Sequence, residues 1–336
     1  MALIKKLENI GNAIREKTGK TDLLTLEQMV TEIAAIETGG GSGEGGSTDV
    51  EDSLVTRKAL NYTNNRITTI GYHAFNCCMS LYRITCPNVT EIQYFAFGNC
   101  ISLQVVDIPK VTKIGANAFN ACTAMTSFNF PNAVTLETGA FDGCRALKEI
   151  TLPKALTKLP SNIFTDCTAM TSFNFPNVTT IEGNAFEGCT SLGSITLPSV
   201  TTLTGASIFY NCSALKKVIL PSCTKLGYTS YFSATFRKAT ALEAVILPGN
   251  TLCALASTTG TFGNTSSSYA SAISLGTGYI YVPRALVDTY KAATNWSTYA
   301  EQIRAIEDYP DICADVLKAD GTIKTAAEIK AEMEAA

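Results

Sequence analysis

Apolar positions recur along most of the chain with a period of 22 or 23 residues that stretches near the end. Phe75, Phe97, Phe119, Phe141, Phe164, Phe186, Phe209, Phe236 and Phe262 form one column; the last two intervals lengthen to 27 and 26 residues. A proline column follows it, from Pro87 to Pro283, and an alternating apolar pair precedes each proline. Ile84/Cys86, Phe128/Phe130, Ile195/Leu197 and Ile280/Val282 are examples. Alternation of period two marks a short strand with one face inward. Proline has no N–H to donate, so it fits the corner where strand pairing stops. A coil with this period buries its apolar residues by stacking on its neighbours, which predicts a solenoid. About nine rungs at ~4.8 Å give a curved parallel sheet roughly 40 Å long.

Cysteine adds a further column. Cys78, Cys100, Cys122, Cys144, Cys167, Cys189 and Cys212 each follow a phenylalanine by three residues, and Ala239 takes the place in the next rung. A position that accepts Cys or Ala wants a small apolar side chain, so the spacing predicts a ladder of packed thiols. Paired C-x-x-C spacing is absent, which argues against a metal site. Cys86, Cys223, Cys253 and Cys313 replace single apolar residues. The phrase I-G-x-x-A-F-x-x-C-x-x-L-x-x-I-x-L-P, with one copy from Ile181 to Thr202 in which the glycine stands one place later at Gly183, resembles the BspA-like subfamily of leucine-rich repeats. That resemblance implies an α+β leucine-rich-repeat solenoid that binds or adheres, and it names no partner.

The regions outside the repeat are distinct. In residues 1–38, Ile4, Leu7, Ile10 and Ile14 form one helical stripe. Thr25 and Gln28 read as a capping box for a second helix with Met29 and Ile33 on its apolar side. Two short helices build little core alone, so this module is expected to oligomerise with copies of itself. Its AIREKTG core resembles an N-terminal segment of phage and prophage tail proteins, which implies attachment to other tail proteins. Residues 39–48, GGGSGEGGST, read as a flexible linker. Residues 49–283 hold the solenoid with a degenerate first rung, in which Tyr62 takes the place of Ile84. Residues 284–308 read as a helical cap sealed by Trp296. Residues 309–336 are a tail with a turn at Asp320-Gly321 and a capping box at Thr325–Glu328. The sequence leaves open whether that tail folds back or joins a partner.

Charge and composition narrow the function. Only 16% of residues are charged and the net charge is −3, without a Lys/Arg run, so nucleic acid and anionic membranes lose support as partners. No apolar stretch reaches ~18 residues, so membrane insertion is not expected. The N-terminus lacks the apolar run of a secretory signal. Together with twelve cysteines it points to synthesis in the cytoplasm, with a virion tail as destination if phage-derived and the cell surface otherwise. The single histidine, His73, has Phe95, Asn117, Gly139, Asn162, Asn184 and Ser207 at its place in later rungs. No nucleophile motif, phosphate loop or repeated carboxylate column accompanies it, so neither catalysis nor a cofactor is expected.

The outward strand positions are where a ligand could sit. Asp107, Asn129 and Asn174 lie in the middle rungs with short hydroxyl neighbours suited to a glycan or an extended peptide. Ile219, Ile246, Tyr279 and Tyr281 form an apolar, aromatic group in the last rungs, expected as an exposed partner surface. Tyr228 and Tyr231 fall in the first of two insertions. The expectation is a non-enzymatic binding protein, tail-associated, that contacts a host-surface glycan or protein. A BspA-like bacterial surface protein and a structural tail subunit are the alternatives. The mounting reading predicts that native mass spectrometry finds an oligomer, which becomes monomeric when residues 1–38 are deleted; a monomeric full-length chain contradicts it.

Overall fold

The computed structural model describes residues 60–153, 156–264 and 270–335; the module at 1–38 and the linker lie outside them. The described chain winds into about eleven parallel turns. One side of the coil carries the strands read from the alternating pairs, from Leu60–Thr63 and Leu81–Thr85 to Ala244–Ile246 and Tyr279–Val282. A second side carries two-residue strands, from Thr69–Ile70 to Ala254–Leu255, paired in three successive groups. These pairs are parallel and, apart from a shift between Leu60 and Asn61, in register, so Ile70 faces Ile92 and Val218 faces Val245. Tyr62 faces Ile84 and is fully buried, as the degenerate first rung requires.

The third side is a stack of turns around the Phe-x-x-Cys segment. Its backbone bonds run along the coil axis: Phe75 N donates to Ala96 O and Phe97 N to Ala118 O. Two residues per turn reach this arrangement through left-handed backbone. One lies two places before the phenylalanine (His73, Asn117, Asn162, Asn184), the other two places after it (Asn99, Gly143, Asp166, Gly188). Gly, Asn and Asp adopt that conformation at least cost, which explains their recurrence there. The varied column containing His73 is therefore a backbone position.

The phenylalanine and cysteine columns form the core. Phe97 through Phe236 are fully buried, and successive rings stack with centroids 5.1–5.9 Å apart. The thiols do more than fill space. Cys100 Sγ donates to Phe75 O at 3.0 Å, Cys122 to Phe97 O at 3.2 Å, and the series continues to Cys212 on Phe186 O at 3.0 Å. Each of these cysteines thus gives a second donor to a phenylalanine carbonyl of the preceding turn that already accepts the N–H three residues on, a role that alanine cannot perform. Burial pushes these thiols well above their usual range.

The expected continuous sheet is broken. Strands pair from Leu60 to Asp107, again between Ser127–Asn129 and Glu149–Thr151, and then from Ser194 onward. Each break adjoins one of the two rungs that carry phenylalanine at both inward positions, Phe128/Phe130 and Phe173/Phe175. Phe128 wedges between Phe119 and Phe141 at 4.9 and 4.7 Å. Phe173 does the same between Phe164 and Phe186 at 5.1 and 4.5 Å. Column spacing is 5.8–5.9 Å from Phe119 to Phe186, the step between the two wedges included, against 5.1–5.4 Å in flanking turns. A parallel ladder needs about 4.8 Å, so the extra ring volume strains the pairing.

Past Pro283 the coil gains one turn more than the proline column marks, because Ile303–Ala305 pairs with Tyr279–Val282. Short helices at Val287–Ala292 and Trp296–Gln302 close the end of the core. Trp296 is fully buried and its Nε1 donates to Cys253 O at 2.7 Å.

Two expectations follow from the thiol ladder. Cys144→Ala removes one of the two donors to Phe119 O, leaving Cys122 N, and should lower stability by about 1 kcal/mol in urea unfolding. A thiol protonated in the fold but ionising near 9 when unfolded stabilises the fold fully below that pH. Its contribution is lost as pH rises above it, by up to about 1.4 kcal/mol per pH unit for each thiol. The urea midpoint should therefore fall steeply above pH 9, and less steeply in a Cys144→Ala/Cys167→Ala variant.

Candidate functional site

Outward residues of the last turns would meet water if the chain stopped at the cap. It does not. Beyond Ile306–Asp308 the tail forms short helices at Pro310–Cys313 and Ala314–Val316, an antiparallel bridge between Leu317 and Ile323, and a helix at Ala326–Ala335. This strap lies across the outward face of the sheet. Ile219, Ala244, Ile246 and Tyr281 from the sheet join Ile306, Cys313, Val316 and Ile329 from the tail in a second apolar cluster. Polar ties hold the strap: Lys217 Nζ meets Asp315 at 2.7 Å, and Asn177 Nδ2 donates to Glu334 Oε1 at 3.2 Å. The capping box forms as read, with Glu328 N donating to Thr325 Oγ1 at 3.2 Å and Thr325 N to the Glu328 carboxylate at 2.7 Å.

This corrects the expected partner surface. Ile219 and Tyr281 are 2% exposed and Ile246 is not exposed at all. The apolar strand face is covered by the chain's own tail, which removes those side chains from water at no association cost. Burial also pushes the Tyr281 phenol up to about 12. Asn174, read as a ligand contact, spends its amide on the strap, with Nδ2 donating to Met333 O at 3.0 Å.

Tyr279 has a different fate. It is half-buried at the edge of the strap and forms one wall of a cleft of about 580 Å³. Lys216, Glu243, Arg304, Tyr309 and Asp311 line the same cleft. Arg304 comes from the added turn, and its guanidinium lies 4.8 Å from the Tyr279 ring centroid, in cation–π range. Its Nη1 also donates to Glu301 O at 2.6 Å, which fixes the fork in place. The Tyr309 ring meets Tyr281 edge-on at 5.5 Å and stays partly exposed. Two tyrosines, an anchored arginine and exposed charges of both signs suit a polar ligand with stacking surfaces. Lys216, Glu243, Arg304, Tyr309 and Asp311 were not singled out from sequence, since the stacking of the last turns brings the first three together and the tail adds the other two.

The other sequence-selected residues lie apart. Asp107 and Asn129 are exposed on the outward face of the earlier turns, away from the strap. Tyr228 is half-buried, with its backbone N–H donating to Gly260 O at 3.2 Å. Tyr231 opens the short helix Tyr231–Ser233, and its neighbour Phe232 is 75% exposed. Ile4, Leu7, Ile10, Ile14, Met29 and Ile33 lie outside the described residues. On the turn side of the first two full turns, Tyr72, His73, Tyr94 and Phe95 cluster, with Tyr72 stacked on Tyr94 at 4.9 Å and His73 on Phe95 at 5.5 Å. Further along that side, Asp142 is raised to about 6 by burial and by Asp166, and Glu187 is raised by the same causes. Among the described residues no group of His, Cys, Asp and Glu has the arrangement to hold a metal ion.

A family model described as the BspA type leucine rich repeat region, in six copies, matches residues 58–171 and 157–271. No curated protein matches the chain. Among solved structures, a leucine rich cell surface protein from Faecalibacterium prausnitzii is 24% identical over 48% of this chain and 59% of its own, with a TM-score of 0.35. The match thus spans less than two thirds of that protein. A leucine rich repeat protein of T. pallidum is 19% identical over 55% of this chain and 78% of its own (TM-score 0.38). One from Bacteroides ovatus is 19% identical over 73% and 92% (TM-score 0.31).

The strap depends on few apolar side chains, and Ile329 is the buried one of its terminal helix. Ile329→Asp should release that helix, so that amides of Ala326–Ala335 lose protection in hydrogen exchange. The uncovered Ile219, Ile246 and Tyr281 should then bind a hydrophobic dye, while the phenylalanine-stacked turns keep their protection. Unchanged exchange in the helix would contradict this account.

Proposed function

Because the chain belongs to the BspA-type leucine-rich repeat family, we propose that it is a non-enzymatic binding protein that contacts a glycan or protein on a host cell surface. The cleft between Tyr279, Arg304 and Tyr309 carries this reading. It joins aromatic faces, an anchored guanidinium and exposed charged groups in a concavity of ligand size. No enzymatic family is indicated by the comparisons. Among the described residues no helix is long and apolar enough to cross a membrane.

The finer reading is a receptor-binding protein of a phage or prophage tail. Residues 1–38 would mount it on other tail proteins as a homo-oligomer, and the Gly/Ser linker would let the solenoids reach separate receptors. Several copies on one mount gain avidity from modest single-site affinity. Support comes from the AIREKTG segment and the linker composition. A bacterial surface protein of the same family is supported equally well by the repeat. A structural tail subunit is the third reading. A tail-gene neighbourhood would favour the first or third over the second.

Binding to envelope glycans and intact host cells tests the cleft. Tyr279→Ala and Arg304→Ala should each weaken binding about tenfold, the scale of losing one stacked or charge-assisted contact. Asn129→Ala, on the open face far from the strap, should change it less than about twofold. Absence of binding to any envelope component favours the structural reading.

A further inference from the structure

We propose that Cys223 and Cys253 are a redox pair that closes into a disulfide between adjacent turns when the protein meets an oxidising environment. Their Sγ atoms are 3.5 Å apart, with the Cys253 thiol donating to Cys223. They lie on neighbouring turns, since Lys225 and Ala254 just beyond them pair in parallel. A disulfide needs about 2.05 Å between sulfurs, so roughly 1.5 Å of approach closes it.

Their setting differs from that of the ladder cysteines. From Cys100 to Cys212 each ladder thiol is buried and committed to a phenylalanine carbonyl. Cys223 is 6% exposed, bonds Lys225 O at 3.3 Å and is one of the residues that line a cleft of about 510 Å³ with Ser222, Pro248, Asn250, Pro283 and Thr325, the side from which a small oxidant would approach. Cys253 is held on both sides of its backbone, its N–H donating to Tyr290 Oη at 2.8 Å and its carbonyl accepting from Trp296 Nε1 at 2.7 Å. It is therefore a fixed resolving thiol behind one that borders the cleft. The hydrogen bond from Cys253 also holds the Cys223 thiol below its usual range, and the same bond with burial pushes Cys253 up. That places the nucleophile on the cleft side.

The oxidant is a low-molecular-weight disulfide. The Cys223 thiolate attacks one of its sulfurs, its S–S bond breaks, and one small thiolate leaves and takes up a proton. The Cys253 thiol then loses its proton, its sulfur attacks the Cys223 sulfur, and the second small thiol departs. Both protein thiols are oxidised, and the oxidant is reduced to two thiols. The bond closes a loop with a sequence separation of 30 residues that contains the first insertion, and it joins the turn that the cap grips. A protein folded reduced in a cytoplasm and working outside it would acquire this staple on exit.

Treating the full chain with glutathione disulfide and mapping peptides without reduction tests this. The expected result is loss of one pair of thiols, a mass lower by two hydrogens, and a linked peptide joining Cys223 to Cys253, with the Tm raised by about 5 °C. Cys223→Ser should abolish the link while Cys144→Ser keeps it, with circular dichroism checking that each variant folds. An unchanged thiol count, a link among ladder cysteines, or a lasting glutathione adduct on Cys223 would each overturn the proposal.

Discussion

Every turn of this protein must hand its backbone bonds and its buried rings to the next turn at nearly fixed spacing. That constraint shapes the rest. Because turns stack in register, each residue meets its own counterpart one period on, and a column tolerates only side chains that pack against themselves. Phenylalanine does so by parallel stacking at 5.1–5.9 Å. Cysteine does so because a thiol is small enough to be buried and still donates to a carbonyl one turn back. Asparagine, aspartate and glycine recur where the backbone must turn left-handed to aim its N–H groups along the axis.

The same constraint explains which features were legible in the sequence. A column repeats, so the period, the inward pairs, the degenerate first rung at Tyr62 and the role of Trp296 could all be read directly. The left-handed positions were visible as an unexplained column of His73, Asn117 and Gly139, and only backbone geometry gave that column its meaning. The sheet breaks were encoded in the two Phe-Asn-Phe rungs, but their effect depends on ring volume between neighbours three turns deep, which alternation does not convey. Thiol bonding was hidden because alanine at position 239 fits a purely apolar reading.

The strap was illegible for a different reason. Its apolar residues, Ile306, Cys313, Val316 and Ile329, share no period with the strands they cover. Its ties span long separations, 98 residues for Lys217 with Asp315 and 159 for Asn174 with Met333. Sequence reading placed Ile219, Ile246 and Tyr281 on the outward face and expected them exposed to a partner, whereas they are buried. It could not say what covers them, and an intramolecular partner looks the same as an external one until the tail is placed. Tyr279 escapes burial only because the strap's edge passes beside it.

Repeat regularity and chemical individuality are therefore opposed along this chain. Where the columns are regular, side chains are consumed by packing: the ladder thiols are bonded and buried, and the outward face carries exposed polar groups such as Asp107 and Asn129. Where the period stretches, after Leu226, the columns lose their counterparts and residues become free for other partners. Ala239 replaces a ladder thiol, Cys223 and Cys253 meet each other instead of phenylalanine carbonyls, and the added turn brings Arg304 over Tyr279. The cleft and the thiol pair both sit in this irregular part, and both depend on the capping segments that follow it. The regular turns supply a rigid base, and the part of the coil that departs from the repeat supplies the chemistry.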